Sequence, residues 1–298
     1  MHKILQKKCN LQPGCKDIVP GGRKMLKKEQ FLGANYAYCS HSLDYFIESM
    51  QRLDVDKIEF YAASPHCYLD DMTPERAYDI KRKLDKAGIH SVVLTAEQCN
   101  YPISISTSDP FARERSFRYY EKALEIASVL EAPYMQMVAG MHTMEDDPAE
   151  CFERVTEGMY RVVKKAEKLG ITIVLEADTS TPVKNTTDIM TVINSVGSDN
   201  LQGLIDTNGI AHANEDFEAA VIRLGDHLKH MHFIDLREPG GHCLVPGEGD
   251  LPMEDYLRIL DKHGYTGYLT PELWGRNYLA NAEEAMKKAL DYCRSRAE

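Results

Sequence analysis

Three carboxylates and one histidine hold corresponding places in four β-rich segments of this 298-residue chain: Glu176 in ITIVLEA, Asp206 in LQGLIDT, His232 in LKHMHFID and Glu272 in YLTPEL. Side chains two apart on a strand share a face. The residues sharing a face with these four are mixed: Val174 and Thr172, Leu204 and Gln202, His230, Thr270 and Tyr268. The opposite faces, Ile173 and Leu175, Leu201 and Ile205, Met231 and Phe233, Leu269 and Pro271, are apolar apart from the proline. Gathered away from water, three carboxylates around an imidazole need a cation, because unpaired buried charge is costly. Oxygen donors with a single imidazole suit Mn2+, Co2+ or Mg2+ better than a thiolate-seeking metal. The bland alternative is an Asp/Glu/His hydrogen-bond network without an ion. His230, one layer below His232, reads as a core residue.

The four side chains converge only if their strands close into a barrel. Eight β-rich runs are legible: 31–37, 57–62, 89–95, 134–140, 171–177, 201–207, 228–235 and 268–273. Between them lie amphipathic charged runs that suit helices. Several of these open with a cap followed by proline (Thr73-Pro74, Asp109-Pro110, Asp147-Pro148), and several close at Gly88, Gly170 or Gly264. Eight βα units predict an α/β fold, a single (β/α)8 TIM barrel over 31–298, with a doubly wound sheet as the alternative. In the barrel the mixed faces line the lumen and the four polar residues ring its C-terminal mouth.

Composition narrows the function classes. With 43% hydrophobic and 27% charged residues the chain has the make-up of a soluble globular protein. No apolar run reaches the roughly 18–20 residues of a membrane span. The leader MHKILQKKCNLQPGCKD has no apolar core of the kind secretory signals carry, which predicts a cytoplasmic location. The 8 cysteines are scattered and read as reduced thiols. A net charge of −11 argues against nucleic acid as a partner, whereas residues 1–30 are basic and read as a poorly ordered extension.

Beyond these readings the chain resembles the sugar isomerase and epimerase superfamily with a xylose-isomerase-like barrel, and within it the ketose 3-epimerases, most of all the fructoselysine 3-epimerase type. The similar segments span about residues 31–296: EFYAASPHCY, TAEQCNYP, IVLEADT, LIDTNG, HLKHMHFID, LVPGEGDLPM and HGYTGYLTPELW. The last three carry most of the specificity, because an HxHxxD, a VPGEG and a GYxGYxxxEL follow one another in fixed order.

The resemblance implies one divalent metal, Mn2+ first among the candidates, held by Glu176, Asp206, His232 and Glu272. Glu176 and Glu272 would double as the acid/base pair that inverts the carbon beside a ketone through an enediolate. His66, Glu97, His242 and Trp274 are the implied substrate contacts. A small-molecule sugar is the expected ligand, and a homo-oligomer, dimer or tetramer, the expected assembly. Three departures bear on the substrate. Gly209 stands where tagatose- and psicose-type enzymes have a histidine, Cys243 where they have an arginine, and Pro182 where both types have a glutamate. These changes also suit a second reaction, elimination of an aglycone from a 3-keto glycoside as in C-glycoside lyases, for which a small partner subunit is expected. The acidic PGEGD loop disfavours phosphate, so an unphosphorylated or amino-acid-conjugated sugar is the expected substrate. A nuclease of the endonuclease IV type, built on a similar barrel, needs histidines that are absent here.

Overall fold

The computed structural model describes residues 26–98, 102–237 and 241–298. Eight parallel strands run in order around one sheet: β1 (Gly33–Ala34), β2 (Lys57–Ala62), β3 (His90–Ala96), β4 (Tyr134–Met137), β5 (Thr172–Glu176), β6 (Leu201–Asp206), β7 (Leu228–His232) and β10 (Tyr268–Thr270). A parallel bridge between Phe31 and Leu269, with the Leu32 amide donating to the Leu269 carbonyl at 2.9 Å, closes the ring. Contacts across the lumen agree with closure. The Tyr134 ring of β4 meets the Tyr268 ring of β10 at 6.4 Å, which requires both to point inward. The mixed faces therefore do line the lumen.

Helices surround the barrel: α1 (Leu43–Arg52), α2 (Pro74–Ala87), α3 (Pro110–Val129), α4 (Pro148–Leu169), α5 (Thr186–Val196), α6 (Thr207–His212), α7 (Phe217–Leu224), α8 (Met253–Lys262) and α9 (Ala282–Arg294). Their boundaries follow the local chemistry. Asp109 accepts from the amides of Phe111 and Ala112, and Asp147 from those of Ala149 and Glu150, each ahead of a proline in the first turn. Gly88 and Gly170 end α2 and α4 at φ 72° and 68°, a region that disfavours a side chain.

Two boundaries differ from the sequence reading. The packed body begins before Phe31: Leu26 is buried, its amide donates to Asp261 Oδ1 at 2.7 Å, and its carbonyl accepts from the Glu298 amide at 2.9 Å. Residues 1–25 lie outside the described residues. The run 228–235 also divides. Its barrel strand stops at His232, and Asp235 opens an antiparallel hairpin, β8 (Asp235–Arg237) with β9 (Gly241–Leu244). The fully buried Asp235 carboxylate accepts from the amides of Leu236, Gly247, Gly249 and Leu251, so it organises the VPGEGD loop. A Cβ at Gly249 would lie 2.2 Å from Asp235 Oδ1, which is why that loop position must be glycine.

Candidate metal centre and the groups around it

Glu176, Asp206 and His232 are the last residues of β5, β6 and β7, and Glu272 lies two past the end of β10. The structure brings all four together. Nδ1 of the fully buried His232 is 3.3 Å from Glu272 Oε2, 3.5 Å from Glu176 Oε1 and 3.8 Å from Asp206 Oδ2, yet it has no hydrogen-bond partner. Burial, followed by the charge of Glu176, pushes the Asp206 carboxyl up to about 7. Burial likewise raises Glu272 well above the carboxylate range; Glu176 and Asp206 add to this while His232 opposes it. His232 is raised well above an ordinary histidine because Glu272, Glu59 and Glu176 outweigh its burial. An orphaned imidazole nitrogen facing three crowded carboxylates fits a divalent cation, whose charge would relieve the repulsion and keep the oxygens ionised.

A second buried group sits below and was missed in the sequence. Glu59, on the lumen side of β2, accepts from His232 Nε2 at 3.0 Å, His230 Nε2 at 2.7 Å, Tyr36 Oη at 2.7 Å and Thr95 Oγ1 at 2.5 Å. With four donors on its two oxygens, Glu59 forms a complete hydrogen-bond network and is not itself in need of an ion. Its consequence for the centre is tautomeric. A proton on His232 Nε2 faces Glu59, so that once a cation displaces any proton from Nδ1 the lone pair there points into the same centre as the carboxylates. His230 is thus a core histidine with a specific partner.

A chain of amides reaches the same centre from β4. The Val138 amide and Tyr120 Oη both donate to Gln98 Oε1, at 2.8 Å each. Gln98 Nε2 then donates to Gln136 Oε1, and Gln136 Nε2 to Glu176 Oε2. Since the Val138 amide can only donate, the direction of every bond after it is fixed. Glu176 receives a donor on one oxygen and turns the other toward His232. Neutral amides among apolar residues carry no obvious signal in the sequence, and these two were passed over.

The expected substrate residues are distributed differently. His66 is buried, with Asn35 Nδ2 at 2.9 Å from its Nδ1 and the His41 carbonyl at 3.0 Å from its Nε2. Both ring nitrogens are therefore engaged in holding the loop after β2, and neither is left for a sugar hydroxyl. Glu97, just past β3, accepts from Tyr61 Oη, and the Tyr61 oxygen in turn accepts from Trp274 Nε1 at 3.3 Å. Tyr61 stacks on Tyr36 at 4.6 Å, so this trio leans against the metal centre. Trp274 is half exposed and Glu97 borders a cavity of about 540 Å³. His242 is exposed on β9, edge-on to the His212 ring at 5.5 Å. The adjacent Cys243 takes φ 52°, and its thiol is raised by burial and by the nearby Glu272 and Asp206.

The family described as xylose isomerase-like TIM barrel matches residues 47–296. Fructoselysine 3-epimerase of Escherichia coli O157:H7 is 25% identical over 241 residues, 79% of this chain and 88% of that one. Among solved structures, D-psicose 3-epimerase from Clostridium cellulolyticum H10, crystallised with D-tagatose, superposes with a TM-score of 0.73 at 19% identity, covering 90% of this chain and 99% of that one. The IOLI protein, solved with a bound zinc atom, gives 0.75 at 17% identity over 90% and 97%. At such identities the two structures speak for the fold.

Proposed function

Because the chain belongs to the xylose isomerase-like TIM-barrel family, we propose that it is a divalent-metal-dependent sugar epimerase or isomerase, inverting the carbon beside the ketone of a ketose or ketose conjugate. The observation that carries this reading is the unpartnered His232 Nδ1 facing Glu176, Asp206 and Glu272. The ion held by these four residues would stabilise negative charge developing on the substrate oxygens. Mn2+ is the first candidate; the zinc-containing neighbour keeps Zn2+ among the metals to test.

The chain's own residues supply the proton transfers. Glu176, given a hydrogen bond by Gln136, is set up as the acceptor that removes the proton from the carbon. Glu272, whose carboxyl burial pushes toward higher pKa, is set up to return one on the opposite face. The two come from strands three places apart in the closed ring, so they flank a substrate at the mouth. In the reverse direction their roles exchange. Trp274 and Glu97, coupled through Tyr61, would form one wall, and His242 would approach from the β8–β9 hairpin. A cytoplasmic location and a homo-oligomeric assembly belong to the same proposal.

Enolisation is the step to test. Protein loaded with Mn2+ in deuterated water should exchange the proton beside the ketone in a panel of ketoses, ketose conjugates and 3-keto glycosides, and chelation should abolish exchange. Release of an aglycone without an epimer would favour elimination, which Gly209, Pro182 and Cys243 leave open. No exchange into any member would overturn the reading.

A further inference from the structure

The 540 Å³ cavity beside Glu97 has a charge pattern that the chemistry at His232 does not use. One wall is α3, which presents Arg115, Arg118 and Lys122 at intervals of three and four, the spacing that stacks side chains on one helical face. Like charges so placed repel one another. Neighbouring cations on α3 and α4 are neutralised: Arg113 by Glu157 at 3.3 Å, Arg161 by Glu114 at 2.6 Å, and Lys165 by Glu125 at 2.8 Å. The three at the cavity have no such close partner, although Arg118 lies near enough to Glu114 to help hold that carboxyl below its usual value. Arg115 donates to the Pro102 carbonyl at 2.7 Å and Lys122 to the Asp70 carbonyl at 3.3 Å, and among the described residues none of the three forms an ion pair with a carboxylate. Asp70 and Glu97 also border the cavity, which leaves its rim with an excess of one positive charge in a chain of net charge −11.

A chain of hydrogen-bonded side chains runs from the cavity toward the metal centre. Glu97 on its edge accepts from Tyr61, Tyr61 accepts from Trp274, and Trp274 follows Glu272 by two residues. At about 540 Å³ it is in the size range of small-molecule sites. Tyr68 and Tyr119 add ring surface, and the forked guanidinium groups match the geometry of a carboxylate or phosphate.

We propose that Arg115, Arg118 and Lys122 form a subsite for an anionic group, a carboxylate or a phosphate, carried by the substrate at the end remote from the reacting carbon. The proposal rests on the sugar-directed reading above and names its substrate class as acidic ketoses. It also moves the question of phosphate from the acidic PGEGD loop, on the far side of the mouth, to the β2–β3 side.

Binding can be measured without turnover. Full-length, Mn2+-loaded protein is titrated calorimetrically at low salt with D-fructose, D-fructose 6-phosphate and D-fructuronate, which differ only in the group at carbon 6. At least one of the acidic sugars is expected to bind tenfold or more tightly than D-fructose, and whichever does identifies the anion. In an Arg118→Ala/Lys122→Ala variant that advantage should vanish while the Kd for D-fructose stays within about twofold. An Arg118→Gln variant, which removes the charge but keeps a shorter polar side chain, should lose part of it. Equal affinity of all three sugars for the unaltered protein overturns the subsite, as does an advantage that survives the double substitution. If charge-dependent binding behaves as expected but none of the sugars exchanges its proton in deuterated water, the subsite stands and the epimerase reading falls.

Discussion

Replacing Glu59 by glutamine should weaken metal binding although Glu59 touches no metal. Its Oε1 accepts from His232, Tyr36 and Thr95, and its Oε2 from His230. Glutamine keeps one acceptor oxygen and puts an NH2 where the other stood. Four donors then face one acceptor, and at least one histidine N–H meets another N–H. Losing a hydrogen bond to a buried charge costs about 1.5–3 kcal/mol. His232 can escape by moving its proton to Nδ1, which removes the lone pair that faces the carboxylates. Partners that orient a ligating histidine typically change metal affinity by about 10- to 100-fold, or about 1.4–2.7 kcal/mol. Calorimetric titration of Mn2+ into the chelator-treated Glu59→Gln protein is the assay, with circular dichroism confirming the fold. Nitrogen-15 spectra of the histidine rings supply a signature that a purely structural role would not move: the proton of His232 on Nε2 in the unaltered chain, displaced in the variant. Unchanged Mn2+ affinity together with an unchanged tautomer would refute the reasoning.

Gln136→Leu removes the donor to Glu176 in a buried setting. Proton exchange should slow by about 10- to 100-fold with little change in substrate KM, measured on metal-loaded protein; an unaltered rate would show that the amide relay does not orient the base. Removing the metal should give stability an unusual pH dependence. Asp206 holds its proton to about pH 7 in the folded chain but loses it near 4 when unfolded, so the folded state binds more protons between those values and stability falls as pH rises through them. His232, also raised, stabilises below its unfolded value near 6.5 and loses that contribution as pH climbs through its folded value, in the same direction. The Tm of chelated protein should therefore drop by roughly 5 °C between pH 5 and 8, at about 2–4 °C per kcal/mol, while Mn2+-loaded protein should show much less of this decline. A chelated Tm that rises with pH would contradict the crowded-carboxylate geometry.

The period-2 alternation of strands made the four mouth residues legible, because a parallel barrel forces the last inward side chains of neighbouring strands to converge. Helix ends were legible for the equally local reason that Asp109, Asp147, Gly88 and Gly170 act within a turn of themselves. What stayed hidden depends on partners distant in sequence. Glu59 meets His230 and His232 across separations of 171 and 173 residues, and nothing in KIEFYA distinguishes its glutamate from any other polar lumen residue. His66 looks like a substrate contact in SPHCY until Asn35 and the His41 carbonyl are seen to take both ring nitrogens. Asp235 reads as the continuation of β7 because it follows an apolar run, yet its carboxylate gathers four loop amides. Leu26 lies in a basic stretch, flanked by Met25 and Lys27, and its place in the core depends on Asp261 and Glu298 at the other end of the chain.

Proton exchange in a Glu272→Gln variant, followed separately from each of two epimeric ketoses, tests the pairing of Glu176 and Glu272 most directly. Metal occupancy is first matched to the unaltered protein. Epimerisation should then fall by about 100- to 10,000-fold, the usual contribution of one positioned acid or base. Exchange should persist better from the epimer whose proton faces Glu176, and Glu176→Gln should show the opposite preference. Equal exchange from both epimers in both variants would contradict two carboxylates working on opposite faces of one substrate.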